Sequence, residues 1–227
     1  MNKNRRFLAL AAVGLAVAAS ANAWSINFGG SEERVKGSGD IGSEVRDVGA
    51  FDGVSTAGDF KILIRQAATN RVELKIDKNL LQYIETRVVE GSKGRTLELS
   101  TRRGVSLSTR NTPELILDMP SLRSISLAGS GDVKVAAMKT PEVSASIAGS
   151  GNIVFDKLDS EKLGVKVSGS GDVTAAGRAT TLNVTIAGSG DVKTKALAAD
   201  EVKVSIAGSG DAAVQAVKSL RVSIAGS

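Results

Sequence analysis

"VSIAGSGDAAV" runs from Val204 to Val214, and close copies stand at "ISLAGSGDVKV" from Ile125, "ASIAGSGNIVF" from Ala145, "VKVSGSGDVTA" from Val165 and "VTIAGSGDVKT" from Val184. The residue closing each Gly-Ser-Gly loop is Asp132, Asn152, Asp172, Asp191 or Asp211, in steps of 20, 20, 19 and 20 residues. A fixed period of this size marks supersecondary units stacked on one another. Ile224-Ala225-Gly226-Ser227 begins a further copy.

Inside the unit the period is two. Before each loop the apolar positions alternate: Val143, Ala145, Ile147; Leu163, Val165, Val167; Leu182, Val184, Ile186; Val202, Val204, Ile206. The residues between them are mostly Ser, Thr, Lys and Asn, the pattern of a strand with one buried face. After the loop the alternation resumes at Val133/Val135, Ile153/Phe155, Val173/Ala175, Val192/Thr194 and Ala212/Val214. A third apolar column follows at Met138, Leu158, Leu197 and Val217, broken at Arg178. No helical spacing occurs in the unit. About 20 residues are too few for a propeller blade, which needs about 40. The expectation is an all-β fold, a right-handed parallel β-helix (β-solenoid) with coils of about 20 residues paired in register.

The loop then has a mechanical reading. Stacked corners leave little room for side chains, glycine reaches positive φ, and Ser and Asp bond nearby backbone N–H groups. The competing reading is calcium, held by Asp132, Asp172, Asp191 and Asp211. Each loop supplies one carboxylate, Asn152 replaces one of them, and calcium wants about six to eight oxygens.

Composition bounds the rest. Lys3, Arg5 and Arg6 precede an apolar run from Phe7 to Ala19, and Ala21-Asn22-Ala23 forms an A-x-A site. These read as a signal peptide over 1–23, too short to span a bilayer. The chain past Ala23 carries 26 basic and 24 acidic residues, intermixed, with no footprint for nucleic acid. Cysteine and histidine are absent, which removes disulfides and the commonest general base and metal ligand. Aromatics past the leader are Trp24, Phe28, Phe51, Phe60, Tyr83 and Phe155, few for a protein that stacks sugars or bases.

Residues 24–47 read as a polar leader in which Gly37-Ser38-Gly39-Asp40 copies the corner, as an entry turn or a flexible segment. The domain proper is expected over 48–227, with irregular β coils at 48–120 and regular repeats at 121–227. Strands are expected at 60–66, 71–76, 86–91, 96–101 and 114–119, one helical turn after Asp77, and a variable loop at "RRGVSLSTRNT" (102–112).

The order "RDVGAFDGVSTAGDFKILIRQ" (46–66), "VELKIDKNLLQYIETRVVEGSKGRTLELS" (72–100), then repeated "IAGSGD", resembles the bacterial family called putative auto-transporter adhesin, head GIN domain. The resemblance covers Arg46 to Ser227 and implies an exported all-β domain of parallel β-helix type with a role in adhesion. It transfers no catalytic residue.

Three functions compete. The first is a non-catalytic binding or structural module of the periplasm or cell surface of a Gram-negative bacterium. It would take an envelope or surface protein or polysaccharide on outward strand positions, Ser146, Ser168, Thr185 and Ser205 on one face and Lys134, Thr174 and Lys193 on another. The second is a polysaccharide-active β-helix enzyme, which needs paired carboxylates or a base beside calcium. Only Arg178 departs from the repeat to offer such a group. The third is a calcium-stabilised scaffold. No catalytic residue and no required cofactor is assigned.

Overall fold

The computed structural model describes residues 32–91 and 94–226. The leader expected at 1–23, with its cleavage site, lies outside these residues. Fifteen strands follow in chain order among them: β1 Glu33–Lys36, β2 Ile41–Arg46, β3 Gly53–Ala57, β4 Lys61–Gln66, β5 Arg71–Asp77, β6 Ile84–Gly91, β7 Gly94–Thr101, β8 Val105–Ser108, β9 Glu114–Met119, β10 Ser124–Gly129, β11 Asp132–Gly149, β12 Asn152–Gly169, β13 Val173–Gly188, β14 Val192–Gly208 and β15 Ala212–Ala225.

From β10 onward each strand pairs in parallel with its equivalent one coil away: Ile147 with Val167, Val167 with Ile186, Ile186 with Ile206 and Ile206 with Ile224. The fold is a β-solenoid. Its three alternating apolar columns per coil are buried from Val143 to Ile206. The coil turns where alternation breaks. Asp156 and Lys157 are both exposed, as are Glu161 and Lys162, and between these pairs Leu158 and Ser160 point inward. Together with the glycine corner at 149–151 these breaks divide the coil into three short sides. Ser160 is buried because its hydroxyl serves the turn: it donates to the Pro141 carbonyl at 3.0 Å and accepts from the Lys162 N–H at 3.2 Å.

The glycine corners are stacks of backbone. Gly149 has φ +140°, where a Cβ is strained, and the Ser150 N–H donates to the Gly129 carbonyl one coil below at 2.9 Å. Gly151 has an ordinary φ, but a Cβ there would overlap the Gly131 carbonyl oxygen. The two glycines of one corner are thus required for different reasons, and the pair recurs through the regular repeats at 129/131, 149/151, 169/171, 188/190 and 208/210.

The first half follows the same rule in a different order. β3 pairs in parallel with β10 and β7, and β4 with β11 and β9. The coil made of β3 and β4 therefore lies between coils that come later in the chain. Val54-Ser55-Thr56-Ala57-Gly58 aligns with Ile125-Ser126-Leu127-Ala128-Gly129, and Gly58 forms the floor on which Gly129 stacks. Beyond β7 and β9 the direction reverses: β6 runs antiparallel to β7, and β5 antiparallel to β9 and β2. These antiparallel strands cover one end of the stack.

Two expected features differ. The segment read as a polar leader contains β1 and β2, and the expected loop at 102–112 contains β8, which pairs with β1. Their polar sequences hid them because both surfaces are largely solvated. Gly37-Ser38-Gly39-Asp40 is the entry turn; it packs on Asp77 rather than on a coil corner. The expected helical turn is a 3₁₀ helix at Lys78–Tyr83, but Asp77 does not cap it. The buried Asp77 carboxylate accepts from the Gly39 N–H at 2.5 Å, the Thr109 hydroxyl at 2.5 Å and the Asn111 amide at 3.2 Å. That carboxylate ties the entry turn to the segment after β8, and the Thr109 hydroxyl above all holds its pKa below the ordinary value.

Candidate functional site

The side of the solenoid just before the glycine corner is a regular lattice of outward side chains. Its middle row is Ser126, Ser146, Lys166, Thr185, Ser205 and Ser223, each paired in register with the next. Three of the expected face residues, Ser146, Thr185 and Ser205, share this row. Ser168 does not: it lies two residues along its strand, on the same face, between Ala148 and Ala187. Register follows distance from the glycine, and at that distance the third coil carries Lys166. The remaining row on this face is Ser124, Ser144, Gly164, Asn183, Lys203 and Arg221.

The side after the corner behaves differently. Lys134, Thr174 and Lys193 do share one row there, together with Val154, as expected. Both lysines of this row are paired with acids. The Lys134 ammonium lies 3.1 Å from Asp156, and Lys193 sits 2.7 Å from Asp172 and 3.3 Å from Asp191. Asp172 also accepts the Asp191 N–H at 3.0 Å, and Asp191 accepts the Asp211 N–H at 3.2 Å. Asn152 donates its amide to Asp132 at 2.8 Å. The Lys193 ammonium holds the Asp172 carboxyl below the usual range, and the two carboxylates raise Lys193 in return. Asp172, Asp191 and Asp211, stacked about 5 Å apart, would repel one another, and Asn152 sets Asp132 one further coil away. An amide and an ammonium interleaved with them remove most of that repulsion. Among the described residues no group of three or more acidic side chains converges as a metal site.

This side also holds an apolar groove the sequence pattern did not reveal. Ile116 and Leu63 face outward on neighbouring strands, Lys134 follows on β11 and Val154 on β12, and this row floors a groove of about 670 Å³ rimmed by Lys61, Glu114, Asp132 and Asp172. The available signal was "ILI" at 62–64 and "LIL" at 115–117, where alternation is lost because both faces of the strand carry aliphatics.

Arg178 is not a break in the core column. The coil from Asp172 to Asp191 is one residue short, the register shifts between Phe155 and Leu158, and Gly177 takes the column position beside Leu158 and Leu197. Arg178 points out and reaches Asp159 at 3.3 Å.

Residues 50–227 match the family described as putative auto-transporter adhesin, head GIN domain. The chain belongs to that family. No curated protein is significantly similar to this head GIN domain. Among solved structures, a putative adhesin from Bacteroides fragilis is 24% identical with a TM-score of 0.77, covering 85% of this chain and 88% of that one. A putative lipid binding protein from Parabacteroides distasonis is 20% identical with a TM-score of 0.63, over 86% and 97% of the two chains. A putative adhesin from Parabacteroides merdae is 17% identical with a TM-score of 0.61, over 86% and 96%. At these identities the likeness establishes the fold. Membership of an adhesin-type family points to an exported or surface protein. No helix among the described residues is long and apolar enough to cross a membrane.

Proposed function

We propose that this head GIN domain is a non-catalytic binding module of the bacterial envelope, exported by the leader at 1–23, that engages an extended partner along the face before the glycine corner. One observation carries the reading: hydroxyl-bearing side chains repeat in register on five of six strands from Ser126 to Ser223, with Lys166 in the remaining place. A rigid lattice without deep pockets gives modest affinity per contact and gains strength by repetition. The family description supports adhesion as the biological use. To test it, beads coated with the purified domain are incubated with bacterial and host cells, using the wild type and a Ser146→Glu/Thr185→Glu/Ser205→Glu variant. The reading expects adhesion of the wild type and its loss in the variant, with the melting temperature nearly unchanged. Equal adhesion by both removes this face.

A second reading has its own observation. The adjacent aliphatics Ile116 and Leu63, with Val154 beyond Lys134, suit an acyl chain whose carboxylate meets the Lys134 ammonium, and a structural relative of the same fold carries the description of putative lipid binding protein. Titration with dodecanoate tests it. Saturable binding that Leu63→Asp abolishes supports the reading, and absence of binding ends it.

A further inference from the structure

We infer that the face before the glycine corner recognises an anionic polysaccharide, one bearing carboxylates along its chain, and that Lys166, Lys203 and Arg221 are the residues that select it. The inference rests on the proposed use of that face and names its partner class. The three rows of the face in the regular repeats contain these three cations and no acid. On other sides of the solenoid Lys134, Arg178, Lys193 and Lys218 are neutralised locally by Asp156, Asp159, Asp172 and Asp200, and the remaining lysines there, such as Lys139, Lys157 and Lys195, are not aligned on one face. The acids nearest the face stand at its corner edge, where Glu142 is bound to Lys162 at 2.8 Å and Glu201 precedes Lys203 by two residues.

Lys203 and Arg221 are direct register partners on adjacent strands, both exposed, and among the described residues neither forms an ion pair with an acid. Like charges placed opposite each other across strands are unfavourable, and an anion lying over the pair relieves the repulsion. Lys166 stands two strand steps from Lys203, about 10 Å along the solenoid axis. The cations thus lie on two adjacent rows of one face, Lys166 on one and Lys203 and Arg221 on the other, a spread that a polymer with repeated anionic groups can cover and a single small anion cannot. Between them Thr185, Ser205 and Asn183 offer hydrogen bonds of the kind sugar hydroxyls take. The face has no aromatic side chain, so neutral sugars find no ring to stack on. Charge is the remaining source of selectivity.

The experiment measures retention of the purified protein on immobilised polygalacturonate, dextran and single-stranded DNA at low ionic strength. Three proteins are compared: wild type, Lys166→Gln/Lys203→Gln/Arg221→Gln, and Lys139→Gln/Lys157→Gln/Lys195→Gln. The last removes the same charge from other sides of the coil. The inference expects wild-type binding to polygalacturonate that falls with added salt and is weakened roughly tenfold or more in the first variant only. It also expects no binding to dextran and weaker binding to DNA. Absence of binding to polygalacturonate, equal weakening in both variants, equal binding to dextran, or tighter binding to DNA each overturns it. If polygalacturonate is not bound while Ser146→Glu/Thr185→Glu/Ser205→Glu still abolishes adhesion, the partner class is wrong and the face remains. If polygalacturonate is bound through the cations but the beads do not adhere, the partner class stands and adhesion falls.

Discussion

The Lys193 ammonium bridges the carboxylates of Asp172 and Asp191 on successive coils, at 2.7 and 3.3 Å. A lysine occupies the place between stacked acids that a cation would otherwise take. Removing it by Lys193→Met leaves two facing carboxylates. The expected result is a small drop in melting temperature, larger at low salt than at high salt. The wild type is expected to melt at the same temperature with calcium or with EDTA. A large loss of stability in EDTA restores calcium as the agent that holds the loops.

Two glycines separate packing from conformation. A Cβ on Gly151 would overlap the Gly131 backbone, whereas one on Gly164 would meet only the Ser144 hydroxyl at 3.9 Å. Gly151→Ala should therefore destabilise strongly, since two backbones must part. Gly164→Ala should be neutral or stabilise by up to about 1 kcal/mol through the unfolded chain. Comparable melting temperatures for the two variants would contradict the stacked corner.

Thr56 marks a defect in the core. It is buried in register with Leu127 and Leu99, and its hydroxyl has no hydrogen-bond partner. Thr56→Val keeps the shape and removes the unsatisfied group, so a gain of about 1–2 kcal/mol in denaturant unfolding is expected. A loss would mean that the hydroxyl is satisfied in solution.

Asp77 makes stability depend on acid. Its folded pKa lies below the ordinary aspartate value, chiefly through the Thr109 hydroxyl and with the Gly39 N–H contributing. The stabilisation is present above the unfolded pKa of about 3.9 and is lost as pH falls through the lower folded value. Melting temperature should drop below about pH 4 in the wild type and drop less over that range in Asp77→Asn. The variant should also be less stable at neutral pH. Parallel profiles would remove Asp77 from the account.

The regular repeats were legible because each coil buries the same columns, so the sequence repeats the burial pattern. Two residues show where that legibility ends. Ser168 resembles the serines of the middle row, but stacking follows position in the coil, and Lys166 holds the place. Arg178 seemed to break a column only because the missing residue of the 19-residue coil lies just before it, at a bulge that spacing alone does not locate. The first half was legible as strands and not as an order. Val54 to Gly58 repeats the corner sequence, yet its placement between β7 and β10 depends on pairings 43 residues (Val54 with Leu97) and 71 residues (Val54 with Ile125) apart. The apolar groove formed at the same crossing, from Leu63, Ile116 and Val154 on strands distant in sequence. Charge segregation on the serine face likewise emerged only from register, because Lys166, Lys203 and Arg221 are scattered along the chain and meet on one face only when the coils stack.

The most direct test of the account is adherence of the source bacterium with and without this protein. Cells lacking it should adhere less, the wild-type protein should restore adherence, and Ser146→Glu/Thr185→Glu/Ser205→Glu should be exported and folded yet fail to restore it. Unchanged adherence on deletion would contradict the account and leave the solenoid a structural part of the envelope.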